Sequence, residues 1–222
     1  MEKILEDIFS QASPRSFSAG EIITTGEEAA GVHLITKGFV KVYSISDEGN
    51  EYVHIIYKPG EMFPLIWALL GHRRRVFYEA LTDTTVSVLA RESFEENVKR
   101  NPESSYEVIK SLAEQFYVFA DRIDNLQYKS AYERVVYRLL FLGGRFGRKT
   151  SGGLILEVPI THELIGQTVN LARESVSRQI EKLEKKKLIG YRGSQIIIKD
   201  AKALSREFSE PVSLDFWGVA GR

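Results

Sequence analysis

Cysteine does not occur among the 222 residues, and its absence removes several kinds of site. Disulfide bonds, zinc sites with thiolate ligands, cysteine-ligated iron–sulfur clusters and cysteine nucleophiles are all excluded. A chain without thiols is also consistent with the cytoplasm, where disulfide bonds are rare.

Two further absences concern net charge and long apolar runs. Thirty basic and thirty acidic side chains give a formal net charge of zero, so any surface for nucleic acid has to be local. No stretch approaches the roughly 20 apolar residues that span a bilayer. The first residues, MEKILEDIFSQ, are acidic and amphipathic, so no signal peptide is expected. We therefore expect a cytoplasmic protein without a membrane partner.

Glycine is frequent between residues 15 and 90 and separates short runs of β-branched and aromatic residues. The runs VHLITKGFVKVYSI, EYVHIIY and TVSVLA have this character, and DEGN at 47–50 is typical of a hairpin turn. Short strands separated by turns at this spacing indicate a small antiparallel barrel or jelly roll. The separating glycines are Gly20, Gly26, Gly31, Gly38, Gly49 and Gly60.

A helical period begins near residue 101. Apolar residues recur alternately three and four positions apart, which is the period of a coiled-coil seam and predicts a long helix that pairs with a second copy of the chain. The alternative is a helix that packs only on its own barrel, which requires a wider and less regular stripe. The seam, our predicted dimer interface, consists of Ile109, Leu112, Phe116, Phe119, Ile123 and Leu126.

The C-terminal third of the sequence predicts a second folding unit. A further helix, AYERVVYRLLFLGGRFG, is expected to end at the glycines at 143, 144 and 147, and residues 147–153 form a polar connection. LILEVP then predicts a strand, THELIGQTV a short helix and ARESVSRQIEKLEKKKL a longer helix, while IGYRGSQIIIKD predicts a hairpin that turns around Arg192, Gly193 and Ser194. Two helices followed by a hairpin are typical of a winged helix-turn-helix.

The longer helix of this pair has a polar face suited to DNA. Arginine can bond bidentately to guanine, and glutamate can accept from cytosine. Hydroxyl groups near helix N-termini suit phosphate oxygens, and Thr161, Ser175 and Ser177 are candidates for such contacts. Between Arg173 and Arg192, seven cations stand against three acids, so this is the local basic surface that the net charge conceals. The polar face consists of Arg173, Glu174, Ser177, Arg178 and Glu181.

The stretch ITHELIGQTVNLARESVSRQIEKLEKKKLI resembles the DNA-binding region of the Crp/Fnr superfamily, which includes the cyclic-AMP receptor protein. The resemblance covers nearly the whole chain, because HLITKGFVKVY followed by GEMF is similar to the family's sensor barrel. It implies an α+β fold in three parts. Residues 1–100 would form an antiparallel β jelly-roll domain of the cyclic-nucleotide-binding type, residues 101–130 a dimerisation helix, and residues 131–222 a winged helix-turn-helix domain.

The same resemblance implies a homodimeric transcription regulator rather than an enzyme. Its partners would be RNA polymerase and palindromic double-stranded DNA with G·C-containing half-sites similar to TGTGA. Arg173, Glu174 and Arg178 match the family's base-contacting motif R-E-x-x-x-R. Ser175 matches a phosphate-contacting hydroxyl, and Arg192 matches a contact of the wing with the DNA backbone.

The chain departs from the family at two places. Ala172 replaces a serine that in relatives often caps the helix and touches phosphate, which puts one contact in doubt. In the sensor loop GEMFPLIWALLGHRRR, Pro64 and Leu65 stand where nucleotide-binding members have glycine and glutamate. Arg74 matches the family's phosphate-binding arginine, but Arg75 replaces its serine. Because leucine cannot accept a hydrogen bond and proline has no N–H, we expect an effector other than cyclic AMP, with a cyclic-nucleotide-responsive regulator as the alternative.

The arginine run at 73–75 leaves three interpretations open. It can bind an anionic effector, in a pocket made of Arg74, Arg75, Leu65, Phe63 and Trp67. It can form ion pairs within the dimer, or it can be a solvated loop in a protein without an effector. If the run lies on a strand, Arg74 points away from the face shared by its two neighbours.

No metal, cofactor or catalytic residue is predicted. The four histidines show no spacing typical of haem ligands, and only His33 and His54 lie on β segments, which is too few for the alternative of a metal-dependent jelly-roll enzyme. His162 is interpreted as a DNA-proximal or helix-capping residue. The segment 208–222 contains Leu214, Phe216 and Trp217 without a clear period, and its role is left open.

Overall fold

The computed structural model describes residues 2–128 and 130–208 of the chain, which divides into two compact units, Met1–Ala120 and Asp121–Arg222. The boundary between the units falls inside the long helix that the seam predicts. The apolar tail residues Leu214, Phe216 and Trp217 lie outside the described residues.

The first unit is a β jelly roll with short helices at its ends, as the glycine spacing predicts. In chain order the elements are α1 (Glu2–Ile8), β1 (Ser13–Phe17), β2 (Ile22–Thr25), β3 (Gly31–Lys37), β4 (Val40–Ile45), β5 (Glu51–Tyr57), β6 (Met62–Phe63), α2 (Leu65–Leu70), β7 (Phe77–Ala80), β8 (Thr84–Ala90), α3 (Arg91–Arg100) and the long α4 (Pro102–Gln127). The eight strands form two four-stranded antiparallel sheets, with the strand orders β1-β8-β3-β6 and β2-β7-β4-β5.

Stacked aromatic rings join the two sheets of the jelly roll. Phe63 on β6 is fully buried, and its ring stacks on Tyr78 of β7 with 4.8 Å between the centroids. On β3, the strand that pairs with β6 in the same sheet, the imidazole of His33 stacks on the ring of Phe63 with 5.1 Å between the centroids. His33 is 6% exposed, and burial lowers the pKa of its imidazole to about 4. The core of this unit therefore contains a histidine that is neutral at pH 7.

The segment 60–75 differs from the loop that its sequence suggests. Leu65–Leu70 form the helix α2, which ends at Gly71 with a left-handed φ of 71°. The arginines at 73–75 do not lie on a strand, because β7 begins only at Phe77, and all three are exposed. The expectation that Arg74 points away from Arg73 and Arg75 assumed a strand and therefore does not apply.

The second unit is a helical layer beside a four-stranded antiparallel sheet. The strand order in this sheet is β11-β12-β10-β9. Besides the end of α4, the elements are α5 (Ala131–Phe146), β9 (Gly147–Thr150), β10 (Gly153–Leu156), α6 (His162–Val169), α7 (Arg173–Lys185), β11 (Ile189–Arg192), β12 (Gln195–Ile198) and α8 (Ala201–Ser205). The predicted α+β class, with a long helix between a β domain and a winged helix-turn-helix, is confirmed.

The glycines of this unit only partly follow the prediction. Helix α5 ends at Gly147, as predicted, but it runs through Gly143 and Gly144, which do not terminate it. The sheet packs closely on the helix at Gly143. A Cβ atom on Gly143 would lie 2.9 Å from Cδ1 of Ile198. Residues 147–153 are not a simple connection but contain β9 and the turn into β10, and Gly153 has a φ of 121° that disfavours other residues there.

We predict that acid destabilises the first unit through His33. The unfolded imidazole takes up a proton near pH 6.5, whereas the folded one does so only near pH 4, so the unfolded state binds more protons between these values. Stability therefore falls as the pH decreases through this window, by about 2 kcal/mol from His33 alone between pH 7.5 and pH 5. Urea unfolding at a series of pH values measures the effect.

Comparison with His33→Gln isolates this contribution from that of the carboxylates. The variant is expected to be less stable than the wild type at pH 7.5. The difference in the free energy of unfolding between the two proteins should decrease as the pH falls. Equal pH dependence in the two proteins would contradict a depressed pKa at His33.

Candidate nucleic-acid interface and ligand pocket

Helices α6 and α7 form a tight helix-turn-helix. The hydroxyl of Thr161 caps α6, since Oγ1 accepts a hydrogen bond from the backbone N–H of Leu164 at 3.0 Å. Helix α6 ends at Asn170 in the left-handed conformation, and the N–H of Leu171 donates to the carbonyl of Gly166 at 3.0 Å. A Cβ on Gly166 would lie 2.4 Å from the oxygen of Leu171, so this position accepts only glycine without movement of the turn.

Helix α7 has the two faces that its sequence predicts. Val176, Ile180 and Leu183 are completely buried, and they hold the helix against the rest of the unit. On the other face Arg173, Glu174 and Arg178 are exposed, which leaves the predicted base-contacting groups accessible. The N-cap residue is Ala172, which makes no side-chain hydrogen bond to the first turn. The first N–H groups of α7 therefore lack a side-chain cap, an arrangement that suits an anion such as phosphate.

The hydroxyl groups predicted to contact phosphate have partners within the protein. Thr161 is engaged as the cap of α6, and Ser175 accepts a hydrogen bond from Nη2 of Arg178 at 3.0 Å. Ser177 Oγ donates to the backbone carbonyl of Arg173 at 3.0 Å. Since a serine hydroxyl has one proton, Ser177 has none left for a phosphate oxygen in this conformation. Ser175 only accepts, so its proton remains available to a phosphate oxygen while it orients Arg178.

The wing is the hairpin of β11 and β12, in which Arg192 pairs with Gln195 across the turn. Arg192 and the turn residues Gly193 and Ser194 are exposed, and Gly193 has a φ of 61°. Arg192 thus lies at the tip of the wing, as predicted. Its neighbour Tyr191 has 43% of its surface exposed.

His162 lies among α6, α7 and the wing, which the sequence did not indicate. Its Nδ1 is 2.8 Å from Oγ of Ser177, and its Nε2 is 2.9 Å from the hydroxyl of Tyr191. The interpretation of His162 as a capping residue is wrong, because Thr161 caps the helix. No periodicity could have shown this contact, since its three residues come from separate elements.

Lys186, one of the seven cations of the basic surface near α7, is engaged within the protein. Lys186 forms an ion pair with Glu207 and donates to the hydroxyl of Tyr132 at 3.2 Å. These contacts tie the end of α7 to α5 and to the residues after α8. Lys186 is therefore partly neutralised. The other six cations of the count are exposed, and they are Arg173, Arg178, Lys182, Lys185, Lys187 and Arg192.

A buried guanidinium connects the helix-turn-helix to the helices that precede it. Arg138 on α5 is 2% exposed and lies 3.7 Å from the carboxylate of Asp121, at the end of α4. Its Nε donates to Oγ1 of Thr168 on α6 at 3.1 Å. Burial is the main cause that lowers the pKa of Arg138, to about 10, while Asp121 opposes the shift. The group remains charged at neutral pH and joins α4, α5 and α6.

A small cavity in the first unit is lined by three of the five predicted pocket residues, Leu65, Trp67 and Arg74. Phe63 lies behind the lining in the aromatic stack, and Arg75 is not among the lining residues. The cavity offers about 30 Å³ to water-sized molecules. That volume holds one or two waters, whereas sites for small organic ligands measure roughly 300–1,000 Å³. The remaining lining residues are Gly26, Val42, His54, Ile55, Tyr57, Pro64, Ile66, His72, Val76, Tyr78, Gln115 and Phe119.

The position of Arg74 beside this cavity depends on a close approach of two backbones. The N–H of Gly26 donates to the carbonyl of Val76 at 2.8 Å, and a Cβ on Gly26 would lie 2.3 Å from the oxygen of Arg74. Tyr78 faces the same cavity, and burial raises the pKa of its hydroxyl to about 12. The cavity thus combines one exposed cation with aromatic walls and a neutral phenol.

The apolar seam of α4 is mostly exposed. Ile109, Phe116 and Ile123 have 59%, 74% and 63% of their surfaces exposed, and Leu126 has 37%. Leu112 and Phe119 are half-buried. The alternative that the seam packs on its own barrel is therefore wrong for most of its length.

Within the described ranges, no three histidine or acidic side chains come together in a way that could hold a metal ion. In the same part of the chain, no helix has the length and hydropathy required to cross a bilayer.

Comparisons with known proteins agree with this geometry. The model of the cyclic nucleotide-binding domain matches residues 14–101, and the model of the Crp-like helix-turn-helix domain matches residues 133–207. The global nitrogen regulator of Nostoc is 26% identical over 218 residues, which cover 94% of this chain and 98% of the relative. The cAMP-activated global transcriptional regulator CRP of Salmonella typhimurium is 26% identical, over 82% of this chain and 86% of its own.

Solved structures show the same similarity. FixK2 from Bradyrhizobium japonicum superposes with a TM-score of 0.78 at 25% identity, covering 90% of this chain and 99% of the other. The two sequence relatives are both named as regulators, the Salmonella protein as a transcriptional one, which agrees with the prediction of a regulator rather than an enzyme.

Proposed function

The chain belongs to the Crp/Fnr family of transcription regulators, and we propose that it acts as a homodimer on a palindromic operator. The proposal depends mainly on α7, whose buried apolar face leaves Arg173, Glu174 and Arg178 exposed. In such a dimer two α7 helices enter successive major grooves one helical turn apart. The half-sites contain G·C pairs, because arginine pairs with guanine and glutamate with cytosine. As such a regulator, the protein would have RNA polymerase as a partner and would act in the cytoplasm.

The same proposal assigns one task to each part of the chain. Residues 1–100 form the sensor domain, residues 101–130 the dimerisation helix, and residues 131–222 the DNA-binding domain. Arg173, Glu174 and Arg178 contact bases, while Ser175 and Arg192 contact phosphates, and Ser175 also orients Arg178. Thr161 and Ser177 support the surface through their hydrogen bonds within the protein.

We predict that Arg173→Ala and Arg178→Ala each weaken binding to the operator by about 1–3 kcal/mol per lost base contact. The operator is identified first, by gel shift and footprinting against fragments of genomic DNA. Titration of the operator with each variant then gives the loss of affinity.

Arg100→Ala is the matched control, because Arg100 is an exposed arginine of the first unit whose side chain pairs with Glu96 on the same helix. It should bind the operator as the wild type does. Failure of the wild type to protect any palindrome, with or without small molecules, would rule out the proposed function.

Homodimerisation through α4 follows from the exposure of its seam. A helix of 26 residues is about 39 Å long, and an apolar stripe along it that faces water is unfavourable. The alternate spacing of three and four positions suits packing against a second helix of the same kind. Two copies of α4 therefore cover each other's Ile109, Phe116 and Ile123.

We predict that Phe116→Glu together with Ile123→Glu converts the dimer into a monomer, because both charges would be buried in the interface. Sedimentation equilibrium measures the mass, and operator binding should weaken at the same time. Glu114→Lys changes charge on the opposite side of the helix and should leave the dimer intact. A double variant that remains dimeric would place the interface elsewhere.

For the sensor domain we propose an effector other than cyclic AMP. Pro64 and Leu65 lie on the cavity wall and offer no group for a ribose hydroxyl. Arg74 retains a cation beside aromatic side chains, which suits a small anion. The small volume requires the wall to move before any such molecule enters. A cyclic nucleotide is the second candidate, favoured by the match of residues 14–101 to the cyclic nucleotide-binding domain.

We predict that cyclic AMP at millimolar concentration leaves the melting temperature unchanged, because a ligand that binds the folded state raises it. Differential scanning fluorimetry with cyclic AMP, cyclic GMP and a set of small carboxylic and phosphoric acids tests this. The acid that stabilises the wild type should lose its effect in Arg74→Ala and retain it in Arg73→Ala. Stabilisation by cyclic AMP that depends on Arg74 would favour the second candidate.

A further inference from the structure

The wing is attached to the rest of its sheet on one side only. Within the described sheet β11 is an edge strand, paired with β12 and with no strand on its other side. Arg192 is its last residue, directly before the turn. A strand of four residues at an edge is a weak support for a side chain that has to meet a DNA backbone.

The hydroxyl of Tyr191 provides a second attachment for this strand. It lies 2.9 Å from Nε2 of His162, the first residue of α6. On the other side of the imidazole, Nδ1 lies 2.8 Å from Oγ of Ser177 on α7. His162 is half-buried at this junction. One imidazole therefore connects the wing with both helices of the helix-turn-helix.

The direction of each hydrogen bond follows from counting protons. Ser177 donates its only proton to the carbonyl of Arg173, so it accepts at His162. The Nδ1 atom of the imidazole therefore carries a proton and donates to Ser177. In the neutral ring Nε2 is then the acceptor, and the hydroxyl of Tyr191 donates to it. The phenol proton points into the protein and is not offered to a phosphate.

We propose that the pair His162–Tyr191 is a positioning element, which holds the wing on the helix-turn-helix so that Arg192 meets the DNA backbone. The inference rests on the proposed DNA-binding function. Tyr191 acts through its neighbour Arg192 and through His162, and it makes no contact with DNA by its own hydroxyl. His162 likewise acts by joining Ser177 to Tyr191.

A set of variants of the full-length protein tests this chain of contacts on the operator. Tyr191→Phe removes only the hydroxyl and keeps the ring, and it should weaken binding about three- to tenfold, as expected for one hydrogen bond. The slope of log affinity against log salt concentration should become less steep by the amount expected for about one phosphate contact per subunit, because Arg192 is no longer held in place. Tyr52→Phe, on β5 of the first unit, is the control for loss of a tyrosine hydroxyl and should bind as the wild type does.

Two double variants separate this role from a direct contact. If the pair acts as a unit, His162→Ala with Tyr191→Phe should bind no more weakly than His162→Ala alone. If Tyr191 works through Arg192, then Tyr191→Phe should have no further effect in an Arg192→Ala background. Additive losses in either pair would overturn the proposal, because they would assign the tyrosine hydroxyl a DNA contact of its own.

A measurement without DNA keeps the inference separate from the proposed function. Hydrogen exchange of the backbone over residues 189–198 should be faster in Tyr191→Phe and in His162→Ala than in the wild type, and equal in the two variants. Unchanged exchange in both would show that the pair does not hold the wing. If the wild type binds no operator while the exchange behaves as expected, the DNA-binding function fails and the attachment of the wing stands.

Discussion

The second unit depends on one buried guanidinium, on α5, that needs partners from two other helices. Arg138 is almost inaccessible to water, and a charge in that position is tolerated only when it is paired and hydrogen-bonded. Asp121 supplies the opposite charge from the end of α4, and Thr168 supplies an acceptor from α6. Because both partners have to be in place together, they tie the end of α4 that belongs to the second unit to α5 and α6.

That constraint reaches the DNA-binding surface through α6. Thr168, which accepts from Arg138, also donates to the carbonyl of Ile165 at 2.7 Å, so the guanidinium is connected to the backbone of the first helix of the pair. The turn at Gly166 and Leu171 then sets where α7 begins. At the opposite end of α6, His162 reaches both α7 and the wing. The exposed arginines of α7 are thus placed by polar contacts at both ends of a helix only eight residues long.

Sequence periodicity predicted the parts of the fold that depend on burial along one element. The jelly roll, the seam of α4 and the two faces of α7 all follow from which positions are apolar. The errors arose where two distant segments meet. Gly143 looks like a helix terminator, but it is small because Ile198 and Leu154 lie against it. Likewise, the strand β9 was hidden because its residues Arg148 and Lys149 face solvent and show no apolar alternation.

The candidate sites show the same division. Arg173, Glu174 and Arg178 were predicted as exposed residues of one helix face, and one element was enough to place them. His162, Ser177 and Tyr191 belong to three elements, and no spacing along the chain brings them together. Arg138 left a weak signal, as the one charge inside the apolar run VVYRLLFL. A lone cation in such a run indicates a buried pair, but the partners come from other helices.

The surface of α7 and the sensor cavity differ in how far their side chains specify what they would bind. At α7 the donor and acceptor groups are of the kinds that distinguish base pairs, so the residues themselves restrict the target. In the sensor cavity only Arg74 is charged, and the rest of the wall, apart from two histidines, the phenols of Tyr57 and Tyr78 and Gln115, is apolar. One cation selects for negative charge but not for shape, because shape has to come from the walls. Since those walls leave about 30 Å³, room for one or two waters, the side chains of the cavity specify a charge but not the shape of a bound molecule.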